Sequence, residues 1–140
     1  MNTEIFSQLN WLAVLVAAVG YFLLGAIWYS PVLFAKKWIA YSGVNVNDPN
    51  AKKGVAGIMF MSFILMFLCS FGLAFLVVKL SMQGWMLGFK LGLLTGICFS
   101  ATAVSISYVY EKKPLGLHLI NGGYNVLGNI IAAIIICIWR

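Results

Sequence analysis

The sequence predicts an all-α membrane protein, four transmembrane helices in a bundle with a short interfacial helix after the first. Three observations predict it. Of 140 residues, 63% are apolar and only 9% are charged, whereas about a quarter of a soluble domain is charged. Mean hydropathy is +1.00. The nine basic and three acidic residues also collect between four long stretches that are nearly free of charge. Each stretch supplies the about 20 apolar residues that cross a hydrocarbon core roughly 30 Å thick.

The expected spans are residues 11–29, 55–78, 87–110 and 115–139, within one integral membrane domain. The first does not read as a secretory signal, because it lacks a basic leader, is too long and ends in aromatics rather than a small-residue cleavage site. The third carries Lys90 in its first turn, where the aliphatic stem can return the ammonium to the headgroups. Cys69, Cys98 and Cys137 all fall inside spans and form no C-x-x-C pair. Buried free thiols are therefore expected, with no disulfide framework and no metal site.

The stretch "GAIWYSPVLFAKKW", residues 25–38, marks the end of the first span. Trp28 and Tyr29 suit the interface, with one ring edge in hydrocarbon and the polar atom in water. Ser30 is a good N-cap and Pro31 a good first helical residue. Together they predict an interfacial helix over residues 31–42, its apolar positions broken by Lys36 and Lys37 and its end set by Gly43. A plain connecting loop is the alternative. The following "VNVNDPNAKKG" reads as a polar loop with a second cap-like step, Asp48-Pro49, leading into the second span.

Lysine placement gives an orientation. The first and third loops hold Lys36, Lys37, Lys52, Lys53, Lys112 and Lys113, against Lys79, Lys90 and Arg140 on the other side. The positive-inside rule puts those two loops in the cytoplasm and both termini outside. No basic segment leaves a membrane-flanking position, so anionic headgroups and not nucleic acid are the expected partners of the net charge of +6.

Two patterns inside the membrane carry information. Gly88, Gly92, Gly96 and Ser100 recur every four residues and lay one small face along the third span. Close packing of such faces holds membrane helices together, so this face should accept another helix, either from the same chain or from a second copy in a homo-oligomer.

On the fourth span His118, Asn121, Asn125 and Asn129 follow at spacings of three, four and four, a polar stripe on an apolar helix. An unsatisfied amide at mid-depth costs on the order of 2 to 7 kcal/mol, so the stripe should face other helices or a wet cavity. Tyr21, Ser100, Thr102 and Ser70 are its candidate partners.

The candidate polar site is then Tyr21, Trp28, Tyr29, Ser30, Thr102, His118, Asn121, Asn125 and Asn129. Interhelical glue, a small-solute or ion site, and catalysis are the three readings of it. No span interior holds Asp or Glu, which argues against a proton-coupled exporter. The sequence has no nucleophile elbow, phosphate loop or metal-ligand cluster, and no cofactor is expected. His118, the sole histidine, has no carboxylate near it in sequence and reads first as a satisfied interfacial residue. "GYFLLG" at 20–25 and "GYNVLG" at 123–128 share four of six positions. No transporter repeat is built on that echo, because a two-plus-two inverted repeat would not pair the first span with the fourth.

The segments "NWLAVLVAAVGYFLLGAIWYSPVLFAKKW" and "LHLINGGYNVLGNIIAAIIICIW" resemble domain-of-unknown-function family 1761. Asn10, Trp11, Gly25, Trp28, Tyr29, Ser30, Pro31, Phe34 and Trp38 carry the resemblance, with Gly123 and Tyr124 as a second anchor. It implies a small four-span protein of the bacterial inner membrane and supplies no activity. The best functional expectation is binding or passage of a small solute or ion along the fourth-span stripe. A non-transporting accessory or structural subunit is the alternative.

Overall fold

A computed structural model describes residues 3–140. In chain order the helices are α1 (Glu4–Gln8), α2 (Trp11–Trp28), α3 (Ala35–Ser42), α4 (Val55–Lys79), α5 (Trp85–Thr95), α6 (Thr102–Tyr110) and α7 (Leu115–Ile138). A π-helical turn, Gly96–Ala101, joins α5 to α6, so these three pieces make one continuous span. Four helices are thus long and apolar enough to cross a membrane, and among the described residues there is no strand.

The centre of the bundle is α7. Eleven of its residues are buried, against five in α2 and four in α4, so the other helices are arranged around it. α5 runs antiparallel along one side of α7 in close contact. A Cβ on Gly88 would lie 2.7 Å from Ile134 Cα, one on Gly96 would lie 2.7 Å from Val126 Cα, and one on Gly92 would overlap the Ile130 backbone. The glycine face of the third span therefore receives α7 of the same chain, which resolves the question of its partner.

A strict four-residue repeat drifts about 40° per step around an α-helix of 3.6 residues per turn. The wider π turn rotates less per residue and cancels part of that drift, which keeps Ser100 turned toward α7.

On another side α2 packs antiparallel to α7, and here the hexapeptide echo acquires a structural meaning. A Cβ on Gly128 would overlap the Tyr21 ring, and one on Gly25 would lie 2.9 Å from the Tyr124 hydroxyl. Each tyrosine fills the notch left by the last glycine of the other hexapeptide, and the two rings meet edge to face at 5.3 Å.

The end of the bundle that holds the chain terminus is tied together. Arg140 donates to the Val77 and Met82 carbonyls at 3.0 and 3.1 Å, and Asn10 Nδ2 donates to Trp139 O at 2.9 Å. The opposite, lysine-rich end is looser. Residues 55–61 of α4 are all exposed, and every buried residue of that helix lies from Ser70 onward.

Four local expectations are corrected here. Ser30 does not cap a helix: its hydroxyl donates back to Ile27 O at 2.7 Å, residues 31–34 form turns, and α3 begins only at Ala35. Asp48 caps no helix, since it accepts from the Asn50 N–H in a local turn, while α4 starts at Val55 as expected, with Gly54 at its N-cap. Trp28 sends its Nε1–H to Ile120 O at 2.9 Å rather than to interfacial water. Of the three free thiols only Cys137 is buried; Cys98 lies on the outer surface and Cys69 is half-buried.

Candidate functional site

The stripe on α7 divides into two chemically different parts. Asn129 is 2% exposed, and each of its hydrogen-bonding positions is engaged. Its Nδ2 donates to Ser100 Oγ at 3.0 Å and to Asn125 O at 2.8 Å. Its Oδ1 accepts from Thr95 Oγ1 at 3.1 Å and more weakly from Cys69 Sγ at 3.7 Å. Thr95 shares its single proton with the Leu91 carbonyl at 2.9 Å, a back-bond that suits a threonine just before the π turn. An amide has two N–H donors and two carbonyl lone pairs, so nothing of Asn129 is left for a ligand.

One turn toward the lysine-rich end, Tyr21 OH donates to Asn125 Oδ1 at 2.7 Å, while Asn125 Nδ2 donates to Asn121 O at 2.8 Å. Asn121 in turn bridges two helices. Its Oδ1 accepts from Tyr29 OH, and its Nδ2 donates to Tyr108 OH, both at 2.5 Å. Asn121 and Asn125 are only half-buried, and both line a cavity of about 560 Å³ whose other walls include Tyr29, Trp38, Val104, Tyr108 and Tyr124.

Two further cavities adjoin it, of about 370 and 500 Å³. The first continues past Asn125 toward Cys69 and Ser100, and the second runs between α2 and α4 by Phe22, Ala26 and Met59. Ser62 and Tyr124 line all three, so together they form one branched cleft beneath the first part of α4. The apolar face of α3, through Ala35, Trp38 and Ile39, closes its end.

Of the residues expected in the site, Tyr21, Tyr29, Asn121 and Asn125 come together on this cleft. Trp28 packs beside it on Phe34, with ring centroids 4.6 Å apart. Ser30 lies outside it. Thr102 is exposed and bonds back to Cys98 O at 2.7 Å, so it does not meet the stripe. The rings of His118 and Tyr108 meet edge to face with centroids 5.3 Å apart, and His118 does not line the cleft. Ser70, considered as a partner, is fully buried, and its hydroxyl has no hydrogen bond.

Sequence reasoning missed Tyr108, Ser62, Thr95 and the role of Tyr124. The tyrosine of "GYNVLG" was signalled by its match to "GYFLLG"; a lone serine in "MFMSFILMF" gave no signal.

The profile of one family, described as a protein of unknown function (DUF1761), matches residues 12–137. The chain belongs to this family. No curated protein and no solved structure matches it. Membership covers every residue of the cleft and of the glycine seam, and it assigns no activity to either.

The chemistry available is that of uncharged donors and acceptors set in an apolar wall. The cleft-lining residues include no Asp, Glu, Lys or Arg. Such a lining can orient the polar group of an apolar molecule by hydrogen bonds, and it offers no charge to a bare ion.

Proposed function

We propose that the protein binds a small amphipathic molecule drawn from the bilayer, with its apolar part beneath α4 and its polar group at Asn121 and Asn125. One observation carries this reading: three adjoining cavities meet at Ser62 and Tyr124, reach both flanks of α4, and expose the amides of Asn121 and Asn125. Binding is better supported than passage along the whole stripe, because the saturated and buried Asn129 closes its inner half. The accessory-subunit reading relied on the glycine face to hold a partner, and α7 occupies that face.

In this proposal the protein sits in the bacterial inner membrane with its lysine-rich end in the cytoplasm, following the six-to-three bias of basic residues. Native mass spectrometry of the detergent-purified protein tests the reading and the oligomeric state together. The expected result is a small adduct on a 15.4 kDa chain or a multiple of it. That adduct should fall several-fold in Asn125→Leu and vanish in Ser62→Trp, which fills the meeting point of the cavities. An adduct that both variants keep in full would place the ligand elsewhere and overturn the proposal.

A further inference from the structure

The mouth of the cleft is built from two elements, and each carries a lysine pair. On α3 the face formed by Ala35, Trp38 and Ile39 lines the cavity, while Lys36 and Lys37 occupy the exposed positions between them. On the opposite wall Tyr108 lines the cavity, and α6 closes two residues later in a turn that brings the Lys113 N–H back to Tyr108 O at 3.0 Å. Lys112 sits in that turn at φ +55°, a left-handed position that glycine usually takes.

A lysine held there tolerates backbone strain and stands within a turn of the cavity wall. The loop after α3 also reaches the cavity through Val46, and it leads on to Lys52 and Lys53. Against these six lysines the rim carries two exposed carboxylates, Glu111 and Asp48, and below it the lining carries no charge.

We infer that the cleft takes an anionic phospholipid, one acyl chain lying beneath α4 and the phosphate held at the rim by Lys36, Lys37, Lys112 and Lys113. This rests on the binding reading above and adds the charge of the ligand. The argument is one of complementarity. A cleft with an uncharged apolar interior and lateral openings suits an acyl chain, and a rim of ammonium groups suits a phosphate that bears no compensating choline. Volumes of several hundred Å³ fall in the range of small-molecule sites, roughly 300 to 1,000 Å³.

The test offers the purified protein equal amounts of dioleoyl phosphatidylglycerol and dioleoyl phosphatidylcholine, which differ in headgroup charge, and counts the lipids retained by native mass spectrometry. Wild type should retain the glycerol lipid about tenfold or more over the choline lipid. The variant Lys36→Gln/Lys37→Gln/Lys112→Gln/Lys113→Gln should lose that preference, whereas Lys79→Gln/Lys90→Gln, at the other end of the bundle, should keep it.

Equal retention of the two lipids, or a preference that survives the four rim substitutions or falls equally with the two distal ones, overturns the anionic assignment. The cleft reading fails separately, if Ser62→Trp and Val104→Trp both fold and retain as much of either lipid as wild type. Helicity and a monodisperse elution profile establish folding, and two independent filling variants guard against the loss of one.

Discussion

The α5–α7 seam and the opening turns of α4, residues 55–61, are made from the same class of residue, yet one is packed to backbone contact and the other is exposed throughout. Gly92 leaves no room for a methyl group against Ile130, while Gly57 in α4 has nothing within 4 Å of where its Cβ would be. Within a bilayer apolar side chains gain nothing by leaving lipid for one another, so helices are held by close approach and by hydrogen bonds across them. The seam has both, through Gly88, Gly92 and Gly96 and the bonds around Asn129. The stretch "VAGIMFM" that opens α4 has neither, since its residues are bulky or unmatched and all are exposed. The cleft follows from that difference.

The largest effect should come from breaking the tight side of the comparison. Gly92→Leu forces the α5 and α7 backbones apart and removes the neighbouring bonds as well. A loss of about 3 kcal/mol or more is expected, read as a collapse of the monodisperse peak on size-exclusion chromatography.

Asn129→Leu comes next. It leaves Thr95 and Ser100 without their shared partner at mid-depth, and about 1 to 3 kcal/mol should be lost in reversible unfolding in mixed micelles. An unchanged unfolding midpoint would show that the bonds around Asn129 do not hold the seam.

Tyr21→Phe removes a single bond, to Asn125. Interhelical bonds of this kind contribute about 0.6 kcal/mol on average, so the same measurement should register a small but resolvable shift.

The loose side predicts the smallest stability change and the clearest difference in access. Ser62→Phe adds bulk where there is already space and should alter stability by less than about 1 kcal/mol. In delipidated, detergent-solubilised protein with Cys69, Cys98 and Cys137 replaced by alanine, Asn125→Cys should react with a water-soluble maleimide and lose that reactivity when lipid is added back, and Asn129→Cys should remain protected throughout. Equal protection of the two in the delipidated protein would mean that the cleft is closed, and the contrast between the two regions would not hold.

Much of the scaffold was legible before any coordinates. Charge spacing located four apolar spans, and the every-fourth-residue run from Gly88 to Ser100 announced a packing face. The amides at 121, 125 and 129 announced a stripe with an inward face. The errors have a common origin. Ser30-Pro31 and Asp48-Pro49 look like helix starts when propensity alone is weighed, but residues 31–34 turn before α3 begins and Asp48 accepts from Asn50 in a local turn. Thr102 was nominated for its hydroxyl and its depth, but it is exposed and its proton goes back to Cys98 O. Local hydrogen bonding of short polar side chains to the nearby backbone is invisible in a list of residue types.

The sequence by itself determined that the protein is a four-span helical membrane protein, because hydrocarbon thickness and the cost of stranded charge act on composition and length alone. Only the tertiary structure decided which amides are structural and which face a cleft. Asn125 and Asn129 are the same residue type one helical turn apart on one face. What separates them is the neighbour each meets: a close glycine helix with Thr95 and Ser100 around Asn129, and a cleft under Ile58 and Ser62 of α4 beside Asn125. That assignment depends on where α4 parts from the bundle, a property of helix pairs and not of any one segment.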